Sequence, residues 1–288
     1  MQAVTSELED LRKEIDRVDR AILDLLIRRT EVVRQVAEVK GDRQRDRLAV
    51  RPAREAQILR RLVEDNAGRF PPAALVRMWR ELIAVLTRIQ TPLSVAVYAP
   101  REGAPTWDLA RDHFGSSTPI HRVDSGSQAI RAAGNGSATL AVLPLPGDDD
   151  LWWPTLMSDH YDRLRVFARL PFVRPLIRDG DDSQAIAIGR IDLEASGDDQ
   201  SLLAVEAEVG VSRARLRTLL ADAGLEPVWL AAARPAGEPG AFHLVEVPSL
   251  VQDGDPRIGA VLAAARREVL RIVSLGGYPR PITVAGPA

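Results

Sequence analysis

Three of the cations on one uninterrupted helix-forming run stand out. Residues 8–40 read LEDLRKEIDRVDRAILDLLIRRTEVVRQVAEVK, free of Gly and Pro, and carry Arg12, Arg29 and Lys40. At about 100° per residue, Arg29 and Lys40 fall within about 20° of each other, whereas Arg12 falls about 100° from Arg29. Two cations therefore share a helix face, and the third points elsewhere, toward what could be a neighbouring subunit's site. Such a grouping suits an anionic partner, a small acid or a nucleic acid. The alternative is that all three are solvated surface charges, the ordinary fate of an Arg in an Arg-rich chain. A polar amide also stands out: Gln90, eleven residues after Trp79, lies near the apolar face of a later helix. There it needs a hydrogen-bond partner or a solvated helix end.

The elements that must position these residues are legible from periodicity. Leu8, Leu11, Ile15, Val18, Ile22, Leu25, Val32, Val36 and Val39 recur at helical spacing. A helix over residues 8–40 would span about 50 Å, and its apolar stripe must be buried against other helices, from this chain or a second one. Gly41 ends the run, and a polar loop leads to Pro52, which suits the first turn of a second helix with Arg54 and Glu55 near its start. The core side of that helix is expected to be Ile58, Leu59 and Leu62. Gly68, Pro71 and Pro72 break it. A third helix is expected over 73–90, burying Leu75, Trp79, Leu82, Ile83 and Leu86.

The pattern then changes. Strands at 93–98, 120–123 and 139–143, alternating with helices ending near Gly115 and at 127–133, predict a small parallel α/β layer. The Trp152–Trp153 pair reads as cover for a core edge rather than a ligand-stacking surface. Further strands are expected at 167–173 and 185–188. From residue 201 the order strand, helix, strand, strand, helix, strand predicts a ferredoxin-like βαββαβ sandwich.

Composition bounds the rest. The 288 residues suggest two or three domains, and 45% apolar with 27% charged residues is ordinary for a globular protein. No cysteine is present, which excludes disulfide and thiolate chemistry. The four histidines lie far apart, without zinc spacing, and no phosphate-cradling glycine loop is seen. No signal peptide and no membrane-length apolar run is read, so a cytoplasmic location is the expectation. Residues 1–90 carry 19 Lys+Arg against 15 Asp+Glu, and the rest 19 against 25. The helical part is thus locally basic. The loop with Arg43, Arg45, Arg47, Arg51 and Arg54 lacks interleaved aromatics and is diluted by Asp42 and Asp46, which argues against nucleic acid.

Taken together, Leu11-Arg12, Ile15-Asp16, Asp19, Leu25-Leu26, Arg29, Lys40, Pro52-Ala53-Arg54-Glu55 and Gln90 resemble the pattern of the all-helical chorismate mutases, over essentially all of residues 6–90. The remainder resembles bifunctional chorismate mutase–prephenate dehydratases. Residues 97–115 (VYAPREGAPTWDLARDHFG) are similar to the opening strand, loop and helix of the dehydratase, and residues 272–279 (IVSLGGYP) to the close of its ACT-type regulatory domain. The implied fold is multidomain α plus α/β. It comprises a three-helix mutase domain forming an intertwined helical dimer (1–91), a truncated dehydratase-like α/β domain (92–197), and an ACT-like βαββαβ domain (198–288).

The resemblance implies rearrangement of chorismate to prephenate, a unimolecular reaction that needs no cofactor or metal. By resemblance, Arg29 and the partner's copy of Arg12 take the two substrate carboxylates. Lys40 and Gln90 donate to the ether oxygen, Glu55 accepts from the ring hydroxyl, and Arg51, Arg54 and Leu86 stand at further substrate-binding positions. Two of these depart from the family pattern. The acidic residue three before Arg54 is here Arg51, and the serine four before Gln90 is here Leu86. Where the dehydratase has Glu-Asn-Ser, this chain has Pro146-Gly147-Asp148. Its Thr-Arg-Phe aligns with Ser183-Gln184-Ala185, and the stretch between Phe172 and Ser183 is too short for a second lobe. In the C-terminal module the ligand motifs have become Ala232-Ala233-Arg234-Pro235 and Val211-Ser212-Arg213-Ala214. The expectation is a mutase with an inactive dehydratase remnant. The alternative is a non-catalytic chorismate- or prephenate-binding regulator of the aromatic pathway.

Overall fold

The computed structural model describes residues 2–40, 48–147, 151–175, 183–234 and 240–284. Three helices come first: α1 (Gln2–Lys40), α2 (Pro52–Asn66) and α3 (Pro72–Gln90). Each of the two shorter helices opens with a proline in its first turn, where the missing amide costs nothing. Ala67, in a left-handed conformation, closes α2.

The expected helical stripe of α1 exists but is not buried within one chain. Ile15 is 60% exposed and Leu25 70% exposed, with Leu8, Leu11, Val18, Ile22, Val32, Val36 and Val39 also open. On α2 the buried residues are Ala53, Ala56 and Leu59. The expected Ile58 and Leu62 are only half-buried, because the small alanine face lies closest to its neighbours. Among the described residues no helix is long and apolar enough to cross a membrane.

The remaining elements are β1 (Val95–Tyr98), α4 (Pro105–Phe114), β2 (Ile120–Val123), α5 (Gly126–Asn135), β3 (Leu140–Pro144), β4 (Arg165–Leu170), β5 (Val173–Pro175), β6 (Ala185–Gly189), β7 (Asp199–Glu208), α6 (Arg213–Asp222), β8 (Val228–Ala233), β9 (Gly240–Val247), α7 (Pro256–Ala265), β10 (Val269–Pro279) and β11 (Ile282–Val284). The expected parallel layer is present as β2-β1-β3. β6 and β4 extend it antiparallel. The single strand expected at 167–173 is two, interrupted at Pro171, which has no amide to donate. β5 instead pairs with β11, a strand that short alternation did not reveal. Trp152 and Trp153 are both buried in the core, and Trp152 Nε1 donates to the Pro144 carbonyl at 3.1 Å.

The βαββαβ order from β7 to β10 is as read, with strand order β10-β7-β9-β8. Ser212 and Asp255 cap α6 and α7 by accepting amide hydrogen bonds. This module is not detached. β10 lies beside β4, so one nine-stranded sheet runs from β2 to β8. Contact occurs at Gly276 and Val166, where a Cβ on residue 276 would lie 2.3 Å from the Val166 carbonyl oxygen. Behind the seam, Glu246 of β9 accepts from Arg169 Nη1 of β4 at 2.5 Å, from Gln200 Nε2 of β7 at 2.8 Å, and from the Tyr278 hydroxyl of β10. Burial, then the Glu246 charge, push the Tyr278 phenol well above its usual range, keeping it a donor.

The helices pack on the parallel end through α4. Arg77 of α3 pairs with Asp112 at 2.5 Å, and Glu81 accepts from the Ser116 amide and hydroxyl at 2.8 and 2.9 Å. His113 is buried beneath this seam. Burial first, and then the Arg80 guanidinium, hold its pKa well below the ordinary value.

Two outcomes are expected. Gly276→Ala must push backbone from backbone at a φ of 130°, so denaturant unfolding should record a loss of about 2 kcal/mol or more. A histidine kept neutral in the folded chain but protonated in the unfolded one withdraws stability as pH falls through the unfolded pKa, near 6.5. From pH 7 to pH 5 the parent should therefore lose more stability than His113→Gln, by up to about 2 kcal/mol, measured by the same titration at both pH values.

Candidate active site

The residues singled out by sequence fall into a buried group, a half-buried group and an exposed group. Glu55 is half-buried, its side chain 13% exposed. It lies in the first turn of α2 and turns toward α3. Its Oε2 accepts from Arg80 Nη1 at 2.8 Å, and its Oε1 reaches back to the Arg51 amide at 3.2 Å. A carboxylate offers about four acceptor positions, so both oxygens retain capacity for a further donor.

On α3, Leu86 is buried, and Gln90 is half-buried with Nε2 donating to the Leu86 carbonyl at 3.2 Å. That weak local bond leaves Gln90 free to rotate toward a better acceptor. On α1, Arg29 is half-buried, and Nη1 is enclosed with no hydrogen-bond partner among the described residues. Burial lowers its pKa from the usual guanidinium value, and a guanidinium remains charged at neutral pH. An enclosed guanidinium N–H lacking an acceptor is a group prepared for an anion.

The exposed residues behave differently. Arg12 faces solvent, about 26 Å along α1 from Arg29 at 1.5 Å per residue. It therefore stands apart from Arg29 within one chain. Arg54 is exposed at the α2 terminus. Arg51 is engaged elsewhere, its Nη2 donating to both carboxylate oxygens of Glu194 at 2.9 Å. Lys40 is the last residue of α1, and its side chain lies outside the described residues, as do Arg43, Arg45 and Arg47 of the following loop. Asp148 and Pro235, which belong to the two altered motifs of the C-terminal half, also lie outside them.

Two features were not found from sequence. Arg80 stands four residues from Val76 and four from Ala84, both buried, so the core face of α3 runs through it, while the expected Leu75, Trp79, Leu82 and Ile83 are only half-buried. The other is a clamp on α2. Arg60 donates to the Ser196 hydroxyl at 3.0 Å, the Asp198 carbonyl at 2.7 Å and the Arg280 carbonyl at 3.1 Å. No local sequence signal marks those acceptors, because two are backbone groups brought close by the fold.

Singly, Arg29, Gln90 and Glu55 offer an enclosed donor, an amide and an oriented carboxylate, and among the described residues of these helices no nucleophile is placed beside a base. Such a set can bind and polarise an acidic ligand without covalent chemistry. Comparison with known proteins agrees in kind. A bifunctional chorismate mutase/prephenate dehydratase of Stutzerimonas stutzeri is 30% identical over 142 residues, 48% of this chain and 39% of that protein. One from Aquifex aeolicus is 34% identical over 116 residues, 38% of this chain and 31% of that protein. The chain thus aligns with about two fifths or less of these curated relatives. Among solved structures, a prephenate dehydratase of Arthrobacter aurescens in complex with L-Phe aligns with 68% of this chain and 94% of its own, at 13% identity and a TM-score of 0.47. Residues 11–91, which hold every candidate site residue named above, match the chorismate mutase type II family, and this N-terminal region belongs to it.

Proposed function

We propose that the chain is a chorismate mutase that rearranges chorismate to prephenate in phenylalanine and tyrosine biosynthesis. The observation that carries this is the coincidence of the family match with Arg12, Arg29, Lys40, Arg54, Glu55 and Gln90 on three helices. The substrate is a dicarboxylate, and the rearrangement is unimolecular. The site therefore has only to hold a strained conformer and to stabilise charge on the breaking ether oxygen. Arg29 takes one carboxylate, and Arg12 of a second copy takes the other. Lys40 and Gln90 donate to the ether oxygen, and Glu55 accepts from the ring hydroxyl. No metal or cofactor enters this reaction.

The dimer in this reading forms along α1. Its open apolar stripe supports that, since fully burying one Leu or Ile side chain is worth about 1.5–3 kcal/mol. Residues 1–91 act as the mutase domain, 92–197 as a dehydratase-like remnant without activity, and 198–288 as an ACT-like domain, in a cytoplasmic enzyme. Pro146-Gly147 in place of the Glu-Asn pair supports loss of dehydration.

A second reading, a non-catalytic chorismate- or prephenate-binding regulator, is favoured by two specific observations. Leu86 offers no hydroxyl, and Arg51 is tied to Glu194 rather than free for a ligand.

The purified protein should consume chorismate, followed as loss of its ultraviolet absorbance, and Lys40→Ala should lower kcat about 10²- to 10³-fold. Decay no faster than the uncatalysed reaction, with binding retained in calorimetry, would favour the regulator. Division of each site between two chains has its own test. Arg12→Ala and Lys40→Ala should each be nearly inactive, yet unfolding them together and refolding should restore about a quarter of parental activity through mixed dimers. Failure to restore activity, with mixed dimers present, rules out the shared site.

A further inference from the structure

Arg80 is a charged residue at a core position, and something must offset its burial. Its side chain is 7% exposed, its Nη1 donates to Glu55, and its Nε is buried with no partner among the described residues. The guanidinium carbon sits 5.1 Å from the centroid of the Phe172 ring, a cation–π distance. Neutral His113 lies close enough to feel its charge. Phe172 and His113 come from the segment after β4 and from α4, so the α/β half of the chain encloses a pair formed between two helices of the mutase domain. Replacing such a pair with apolar side chains would in general cost little stability, so stability alone does not account for it.

Glu55 supplies the account. One of its oxygens is held by the Arg51 amide, the other by Arg80, which together fix the plane of the carboxylate. We propose that Arg80 is a positioning residue: it aims Glu55 at the substrate's hydroxyl, and Phe172 and His113 keep water away from the pair. This gives the α/β half a role in the mutase reaction that does not require dehydratase chemistry of its own. The proposal rests on the mutase function above.

The test is a double-substitution cycle on the full chain, reading kcat and KM for chorismate in the parent, Arg80→Met, Arg80→Lys, Glu55→Gln and the Arg80→Met/Glu55→Gln pair. Arg80→Met should lower kcat/KM about ten- to hundred-fold through misplacement of Glu55, and Arg80→Lys should recover much of that loss. In the Glu55→Gln background Arg80→Met should change kcat/KM by less than about two-fold, because no carboxylate remains to be aimed. Should Arg80→Met not fold, Phe172→Leu takes its place, with a smaller loss expected in the parent and none in Glu55→Gln. Equal losses in both backgrounds, or parental activity in Arg80→Met, overturn the positioning role. A parent that does not consume chorismate overturns the function on which it rests, and the two failures are thereby distinct.

Discussion

Backbone meets backbone where β10 passes β4, and the rest of the sheet is arranged around that contact. Gly276 lies so close to Val166 that no side chain fits between them. At this point the five strands from β2 to β4 become continuous with the four of the βαββαβ module. The buried carboxylate of Glu246 completes the seam, because its three donors come from β4, β7 and β10. Each of those donors would be costly to bury alone, and together they satisfy one another. The Leu-Gly-Gly-Tyr-Pro run over 275–279 thus supplies both the absent side chain and the phenol that this seam requires.

The helices depend on that sheet in turn. Arg60 of α2 grips the chain just before β7 and just after β10, while Arg51 grips Glu194 in the same connecting segment. α2 is therefore tied at its N-cap and at its middle to the chain flanking β7 and β10, and Glu55, between those two points, is held with it. The exposed pair Arg51–Glu194 contributes little energy, as surface ion pairs do. Arg60, bound to three carbonyls and a hydroxyl, is the stronger restraint. α1 is the opposite case, since its apolar face lies open along most of its length.

Element type was largely legible in the sequence because periodicity reports the face that an element buries. The nine-residue Leu, Ile and Val stripe of α1 and the βαββαβ order were both read correctly as patterns. What the pattern withheld was the identity of the partner. Nothing in α1 says whether its stripe meets this chain or another, and nothing in β10 says that its far edge meets β4. Such contacts are long-range and rest on shape. Arg80 is instructive in a different way. It lies between Val76 and Ala84 on the face the structure buries, a face the apolar spacing did not pick out, and in an Arg-rich chain one more arginine draws no notice until Glu55 is seen 2.8 Å away. The family pattern names candidate site residues, but it does not name the residues that hold them.

Under the proposed function this division has a physical reason. A unimolecular rearrangement asks nothing of the protein's nucleophiles or bases and everything of its geometry, so the groups that touch substrate can be few and their supports many. A misplacement of about 1 Å costs such an enzyme as much as the loss of a contact. The supports of Glu55 extend from α2 through Arg80 of α3 to Phe172 and His113, and those of α2 extend through Arg60 to the ends of β7 and β10. Under the proposed function the sheet is required whether or not it carries chemistry of its own, because the rearrangement would depend on where that sheet holds one helix.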